Sequence, residues 1–267
     1  MKPFIAILLM LAATTSAAAH EYWFEADNFF LTSGQSTQLH LFVGEALKKD
    51  EERVYQAAKT TSFQMISPSG KFDMRTMADD GKSPILKFSS DRAGTYLFSM
   101  ERNWSYITLE ADKFEAYLRD EGMGYIVIER QKLGESKKKG RERYSRYLKT
   151  AIQVGDGATG SATTRVDSKL EILPRNNPYS RKVGDKFNFQ VWFDRWPLAN
   201  AEVFADNRTG DKISTQKITT DKDGKASVKL GRSGVWLIRL VYMQRCKLKC
   251  GEADWESFWG AFSFGVR

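Results

Sequence analysis

Alternation of apolar and polar residues with a period of two is the feature that most constrains the fold of this chain. In the segment 35–44 every second residue is apolar on one face of the predicted strand: Leu39, Leu41 and Val43. Similar segments follow as far as Leu109, and turn residues separate them, as in PSG at 68–70 and DDG at 79–81. The pattern predicts an N-terminal antiparallel β-sandwich domain over residues 20–109.

The period changes after this segment. Helical spacing is shown by Phe114, Tyr117 and Leu118, and Gly122 is well placed to end that helix. Two more helices are expected at Tyr125–Leu133 and Arg141–Ile152, the second of which has one apolar face: Tyr144, Tyr147 and Leu148. We therefore expect a helical connector over residues 110–155.

Alternating segments return in the last third of the chain. A stretch rich in Gly, Ala, Ser and Thr predicts a flexible linker at 156–166. Strands are then expected at 197–203, 226–230, 235–242 and 255–266. The segment TTDKDG at 219–224 predicts a hairpin turn, because it is too short for a calcium loop and lacks the closing glutamate. The expected fold class is mainly β, with two immunoglobulin-like antiparallel β-sandwich domains, the second at 167–267, and a short helical insertion between them.

The amino terminus has the features of an export signal. Lys2 precedes an apolar run at 4–13, and Ala17 and Ala19 fit the A-x-A rule for signal peptidase. The apolar run is too short to span a bilayer, and no later segment approaches about twenty apolar residues. We therefore expect a signal peptide at 1–19, a periplasmic location, no transmembrane segment in the mature chain, and a mature chain that begins at His20.

Charge and motifs exclude several classes of function. The net charge of +8 does not indicate nucleic-acid binding, because export argues against that partner. Basic residues are spread along the chain except at 137–146, which predicts a solvated basic face. The sequence contains neither a G-x-S-x-G nucleophile motif nor a phosphate-binding glycine loop, so we expect a protein that is not an enzyme.

The two cysteines, Cys246 and Cys250, lie close together in the segment CKLKC. In an oxidising compartment such a pair normally forms a disulfide, which here would fix a local turn. A pair of thiolate metal ligands is the alternative. Neither a C-x-x-C spacing nor a second cysteine pair supports it.

An ordered set of segments covers nearly the whole chain after residue 19: HEYWFE, LHLFVGE, FEAYLRDEG, RERYSRYLKTAIQVG, LEILPRNNPY, PLANAEVFADN with TTDKDGKA, and DWESFW. Together they resemble a family of exported proteins with a domain of unknown function, described as periplasmic components of cobalt and nickel transport systems. The second domain is also similar to the prealbumin-like modules of carboxypeptidase regulatory regions. The resemblance implies a two-part β protein associated with nickel or cobalt. It also implies His20 as a candidate ligand and an ABC-type or energy-coupling metal transporter of the inner membrane as partner.

An amino-terminal histidine offers two nitrogen ligands, because its imidazole and its free α-amine belong to one residue. Imidazole suits nickel, cobalt, copper and zinc, with a preference that rises toward copper. The chain contains one other histidine, His40, which would complete a three-nitrogen site if its strand lies beside the amino-terminal one. Glu21 or Glu45 would then add an oxygen ligand. A packed, hydrogen-bonded role is the alternative for His40, and ordinary surface carboxylates are the alternative for the two glutamates.

These observations predict a non-catalytic periplasmic protein that binds nickel, cobalt or copper and supports its uptake. One alternative is a structural or adhesive tandem of β-sandwich modules in which a metal is incidental. Another is a copper-dependent oxidative enzyme, which requires His20 and His40 to be close together. The relative position of the two histidines distinguishes these hypotheses.

Overall fold

Strands account for most of the chain in the computed structural model, which describes residues 20–267. The predicted signal peptide lies outside the described residues. The strands are β1 (Glu21–Ala26), β2 (Phe30–Leu31), β3 (Ser36–Glu45), β4 (Lys48–Glu52), β5 (Thr60–Ser67), β6 (Gly70–Asp73), β7 (Leu86–Ser89), β8 (Gly94–Leu109), β9 (Gly140–Val154), β10 (Leu170–Pro174), β11 (Lys186–Phe193), β12 (Trp196–Pro197), β13 (Glu202–Thr209), β14 (Lys212–Thr219), β15 (Lys225–Lys229), β16 (Gly234–Arg245) and β17 (Trp255–Val266). The helices are α1 (Ala111–Asp120) and α2 (Gly124–Lys132), with short 3₁₀ turns at Ala57–Lys59, Gly160–Thr163 and Pro178–Ser180.

The strands form three sheets. The N-terminal sheet has the order β1-β3-β4, with β7 also paired to β3. The C-terminal sheet has the order β10-β11-β12, with β15 also paired to β11. The third, which we call the long sheet, has the order β14-β13-β16-β17-β9-β8-β5-β6, with β2 paired to β9.

The long sheet lies between the other two layers. Along β17, Ala261 packs in a core with the N-terminal sheet, whereas Phe258 and Phe262 pack in a core with the C-terminal sheet. Trp259 faces the same side as Ala261 and packs against the helices. Because successive residues of a strand point to opposite faces, both faces of the long sheet are covered. The fold is mainly β and of the sandwich type, as predicted.

Strands from both halves of the sequence share the long sheet. Its central pair joins β17 to β9 in parallel, from Trp255 opposite Glu142 to Ser263 opposite Thr150. The prediction of a helix at Arg141–Ile152 is therefore wrong, because this segment is part of β9. All seven residues 148–154 are buried, and they include the polar Lys149, Thr150 and Gln153, so burial on both faces of this strand is not visible as a simple apolar and polar alternation.

The other helices are where the sequence places them. In α1 the predicted apolar face is buried, and Gly122 follows the helix with a φ of +74°. The expected linker at 156–166 is packed at its centre: Ser161 and Ala162 are buried, and the Thr159 hydroxyl accepts a hydrogen bond from the Thr95 amide, whereas residues 156–158 are exposed. The segment 219–224 forms a turn, but it connects β14 and β15, which belong to different sheets, so it is not a hairpin.

Two further expectations concern the end of the chain and the membrane. Cys246 and Cys250 form a disulfide, as predicted, and their Cα atoms are 6.2 Å apart. Both cysteines lie in the loop that connects β16 to β17. Among residues 20–267, no helix is both long and apolar enough to cross a bilayer.

Candidate functional site

A cavity of about 330 Å³ lies on the face of the long sheet that is covered by the N-terminal sheet. The N-terminal sheet and the segment that follows it contribute the residues of one wall, and β8, β9 and β17 contribute the other. The lining residues are His20, Tyr22, Val43, Asp50, Glu51, Arg53, Ile107, Leu109, Glu142, Tyr144, Arg146 and Trp259. Of the residues that the sequence marked as metal ligands, only His20 lines this cavity.

His20 meets Asp50 at the mouth of the cavity. The ring Nδ1 lies 2.9 Å from Asp50 Oδ2, and each side chain is 39% exposed. The β3–β4 hairpin brings Asp50 there, because Ala46 and Leu47 both have positive φ and form its two-residue turn. Sequence reasoning missed Asp50, since it lies in the charged run KKDEER and resembles an ordinary solvent-exposed residue.

His40 does not join this site. The predicted pairing of its strand with the amino-terminal one is present, but His40 is opposite Glu25, whereas Glu21 is opposite Gly44. His20 therefore lies at the other end of the ladder, about 16 Å away at a strand rise of about 3.3 Å per residue. The His40 ring is instead held by Glu52 at Nδ1 (2.7 Å) and by Asp27 at Nε2 (2.9 Å). The expected two-histidine site is thus corrected to a hydrogen-bonded, packed His40.

The two glutamates do not form a cluster of ligand atoms with His20. Glu21 is buried on the other face of β1, where Arg239 lies 2.7 Å from Oε1 and the Ala46 amide donates to Oε2. Burial raises the pKa of Glu21 to about 8, although the charge of Arg239 opposes this shift. Glu45 is exposed, and no group of three nearby His, Cys, Asp or Glu ligand atoms among the described residues includes it or His20.

Arg146 forms the floor of the cavity. Its guanidinium carbon lies 4.1 Å from the ring centre of Tyr22, 4.6 Å from that of Tyr144 and 5.8 Å from that of Trp259. Its Nη2 donates to the His20 carbonyl at 3.3 Å, and its buried Nε has no partner among the described residues. Sequence reasoning placed this arginine on a solvated basic face; the structure instead stacks it between aromatic rings.

Glu142 lies on the same face of β9 as Arg146 and is 2% exposed. Its Oε1 accepts hydrogen bonds from the hydroxyls of Tyr117 and Ser257, whereas its Oε2 has no partner in the described structure. Burial raises the pKa of Glu142 to about 7, against the lowering effect of the two hydroxyls and of Arg146. Glu142 is therefore a buried carboxyl group whose charged form is disfavoured by burial and whose Oε2 lacks a partner among the described residues.

A second cluster of metal-ligand types lies outside the cavity. Cys246, Cys250 and Glu256 have ligand atoms within 4.8 Å of one another. The two sulfur atoms are bonded to each other, so they are not thiolates and the cluster does not fit a metal ion.

Two solved structures are remotely similar to this chain. A tetra-tandem repeat from the extending region of a large adhesion protein is 7% identical, with 93% of this chain and 50% of that chain covered and a TM-score of 0.24. The alpha-2-macroglobulin of Escherichia coli activated by porcine elastase is 9% identical, with 93% and 20% covered and a TM-score of 0.22. The chain thus spans half or less of the length of these structures.

Comparison with sequences identifies the family. No curated protein matches the chain at a significant level. The family model described as domain of unknown function (DUF4198) matches residues 17–244, which is most of the chain. The chain therefore belongs to the DUF4198 family.

Proposed function

We propose that this protein is a non-catalytic, exported protein that binds a divalent transition metal at His20 and Asp50 and supports its uptake. The observation that carries the proposal is the contact between His20 Nδ1 and Asp50 Oδ2, 2.9 Å apart at the mouth of the cavity. If the signal peptide is removed after Ala19, the His20 α-amine becomes free. The amine and Nδ1 then close a six-membered ring around one metal ion, and the carboxylate of Asp50 lies beside the ring nitrogen that takes part.

The donor set fits nickel, cobalt or copper. Imidazole and amine nitrogens with one carboxylate suit these borderline ions, and copper is bound most tightly by a site of given donors. Because the ring and the amine bind only when deprotonated, metal affinity falls as the pH is lowered. The proposed partner is an ABC-type or energy-coupling metal transporter of the inner membrane, and the proposed location is the periplasm.

Neither His40 nor Glu21 belongs to the proposed site. Both ring nitrogens of His40 are engaged by carboxylates, and Glu21 pairs with Arg239. A copper-dependent oxidative enzyme built on both histidines is not proposed, because the strand register separates them.

The test uses protein that begins at His20, with its amino terminus verified by mass spectrometry. Titration calorimetry with Ni²⁺, Co²⁺ and Cu²⁺ should give one site per chain. His20→Ala should weaken binding by about a hundredfold, and Asp50→Asn by about tenfold, because each removes a ligand. Protein that retains Ala17–Ala19 before His20 should lose the amine ligand and bind weakly.

His40→Gln is the matched control and should bind like the unaltered protein. Equal binding by the His20→Ala variant would contradict the proposal. Weakened binding by His40→Gln, with unchanged binding by His20→Ala, would show that the metal is bound at His40 instead.

A further inference from the structure

The cavity beyond His20 is too large for a metal ion alone. Its volume of about 330 Å³ equals roughly ten water molecules at about 30 Å³ each. Sites for small organic molecules begin at about 300 Å³, with apolar and aromatic walls and a few polar groups. Half of the lining residues are aromatic or apolar: Tyr22, Tyr144, Trp259, Val43, Ile107 and Leu109. The other half are ionisable, so the cavity suits a ligand that is itself polar as well as partly apolar.

Two polar side chains that line the cavity each have one buried atom without a partner among the described residues. One is Arg146, whose guanidinium is stacked on aromatic rings and uses only Nη2 in a hydrogen bond within the described residues. A fixed, planar guanidinium with free N–H groups is the side chain best suited to a carboxylate, which it binds through two parallel hydrogen bonds.

The other group is Glu142, whose Oε2 is buried and unpartnered. Buried polar atoms are normally hydrogen-bonded, so an unpartnered one in a cavity wall marks a position for a ligand atom. Tyr117 and Ser257 hold Oε1 and thereby fix the direction of the carboxyl group. This group suits a hydroxyl or amino group, which can donate a hydrogen bond to Oε2.

We infer that the cavity binds a small organic carboxylate that also carries a hydroxyl or amino group, with the carboxylate at Arg146 and the second group at Glu142. The inference shares the cavity with the proposed metal site but does not depend on it, because Arg146 and Glu142 are not among the proposed metal ligands. The apolar residues of both walls enclose the body of the ligand.

The experiment uses metal-free protein, prepared by passage over a chelating resin, and titration calorimetry at pH 7.5. Each carboxylate probe is paired with its neutral amide: glutamate with glutamine, histidine with histidinamide, and 4-hydroxyphenylacetate with 4-hydroxyphenylacetamide. At least one carboxylate should bind about tenfold more tightly than its amide, because only the carboxylate completes the pair of hydrogen bonds with Arg146.

Variants locate the binding. Arg146→Met removes both the positive charge and the planar fork, and should abolish the preference for the carboxylate. Glu142→Gln should weaken binding of the preferred probe by about tenfold, because Gln presents a donor where an acceptor is needed. Arg75→Met, at an exposed ion pair remote from the cavity walls, is the matched control and should bind normally. Thermal unfolding of every variant shows that it is folded.

Three results would overturn the inference: no probe binds, every amide binds as well as its carboxylate, or the preference survives in a folded Arg146→Met variant. Metal titration of the same samples separates the two proposals. Loss of carboxylate binding with intact metal binding would refute this inference alone, and the reverse would refute the metal site alone.

Discussion

Two arginines on one face of the long sheet have opposite surroundings. Arg239 on β16 lies next to Ala261 of β17, and Arg146 on β9 lies next to Trp259 of the same strand. Arg239 is bound by carboxylates from three other elements: Glu21 at 2.7 Å, Asp206 at 2.7 Å and Glu121 at 3.1 Å. Arg146 is instead stacked on aromatic rings and retains a buried, unpartnered Nε.

The difference separates a structural cluster from a binding site. At Arg239, the positive charge offsets the cost of burying Glu21, whose strand carries His20, and so holds the amino-terminal strand on the long sheet. At Arg146 the protein leaves a donor and, at Glu142, an acceptor without partners. Unpartnered buried groups cost stability, so their occurrence together in a cavity wall points to a ligand that completes them.

The largest expected effect follows from removal of Arg239 from its cluster of three carboxylates. Arg239→Met leaves Glu21, Glu121 and Asp206 buried without their shared cation. Removing one partner of a buried ion pair costs about 3–5 kcal/mol, so the free energy of unfolding should fall by that amount. Urea denaturation at pH 7.5 measures it. A loss below about 1 kcal/mol would show that the cluster does not hold β1, and the contrast with Arg146 would disappear.

The next effect concerns the pH dependence of Glu142. Its pKa is raised from 4.5 to about 7 by burial, so between these values the folded state keeps a proton that the unfolded state releases. Stability therefore falls as the pH rises through this window. In Glu142→Gln that contribution is absent. Between pH 5 and pH 8, the free energy of unfolding of the unaltered protein should fall by about 2–3 kcal/mol more than that of the variant.

Urea denaturation across the pH range measures this difference, and Glu110→Gln, at an exposed carboxyl, is the control that should follow the unaltered protein. Parallel pH profiles for Glu142→Gln and the unaltered protein would mean that Glu142 is ionised throughout. In that case burial would not disfavour the charged form of Glu142. The unpartnered Oε2 would then no longer distinguish the surroundings of Arg146 from those of Arg239.

How much of this site could be predicted from the sequence depended on the strand β9. Residues 142, 144 and 146 share one face of a strand but are scattered on a helix, and the apolar spacing at Tyr144, Tyr147 and Leu148 favoured a helix. The buried half of β9 shows no simple contrast between a solvent face and a core face, because both faces are covered and Lys149, Thr150 and Gln153 are buried together with apolar residues. Once the segment is known to be a strand, the spacing i, i+2, i+4 brings Glu142, Tyr144 and Arg146 together.

For the amino-terminal strands, the pattern predicted the secondary structure but not the register. Alternation correctly predicted β3, and its pairing with the amino-terminal strand was one of the possibilities considered for the histidines. The register was not available from local pattern, because distant contacts fix it: Glu21 with Arg239 of β16, and Arg208 of β13 with Glu25. A register that pairs Glu21 with Gly44 necessarily places His20 and His40 at opposite ends.

A smaller effect tests whether His40, like Arg239, has a structural role in a cluster with carboxylates. His40→Gln removes a ring that bridges Asp27 and Glu52 near the surface, where such contacts contribute little. The free energy of unfolding should fall by about 1 kcal/mol. Metal affinity of protein that begins at His20 should be unchanged. An altered metal affinity without loss of stability would contradict the structural role.

The smallest effect is expected when Met replaces Arg146 in the wall of the cavity. Arg146→Met loses the bond to the His20 carbonyl and the contacts with Tyr22 and Tyr144, but it also removes the unpartnered Nε. Because Met fills a similar volume and packs well against aromatic rings, these changes nearly cancel. The free energy of unfolding should change by less than about 1 kcal/mol in urea denaturation. A loss as large as that of Arg239→Met would mean that the guanidinium of Arg146 is structural, and the open cavity would then be a consequence of packing rather than a site for a carboxylate.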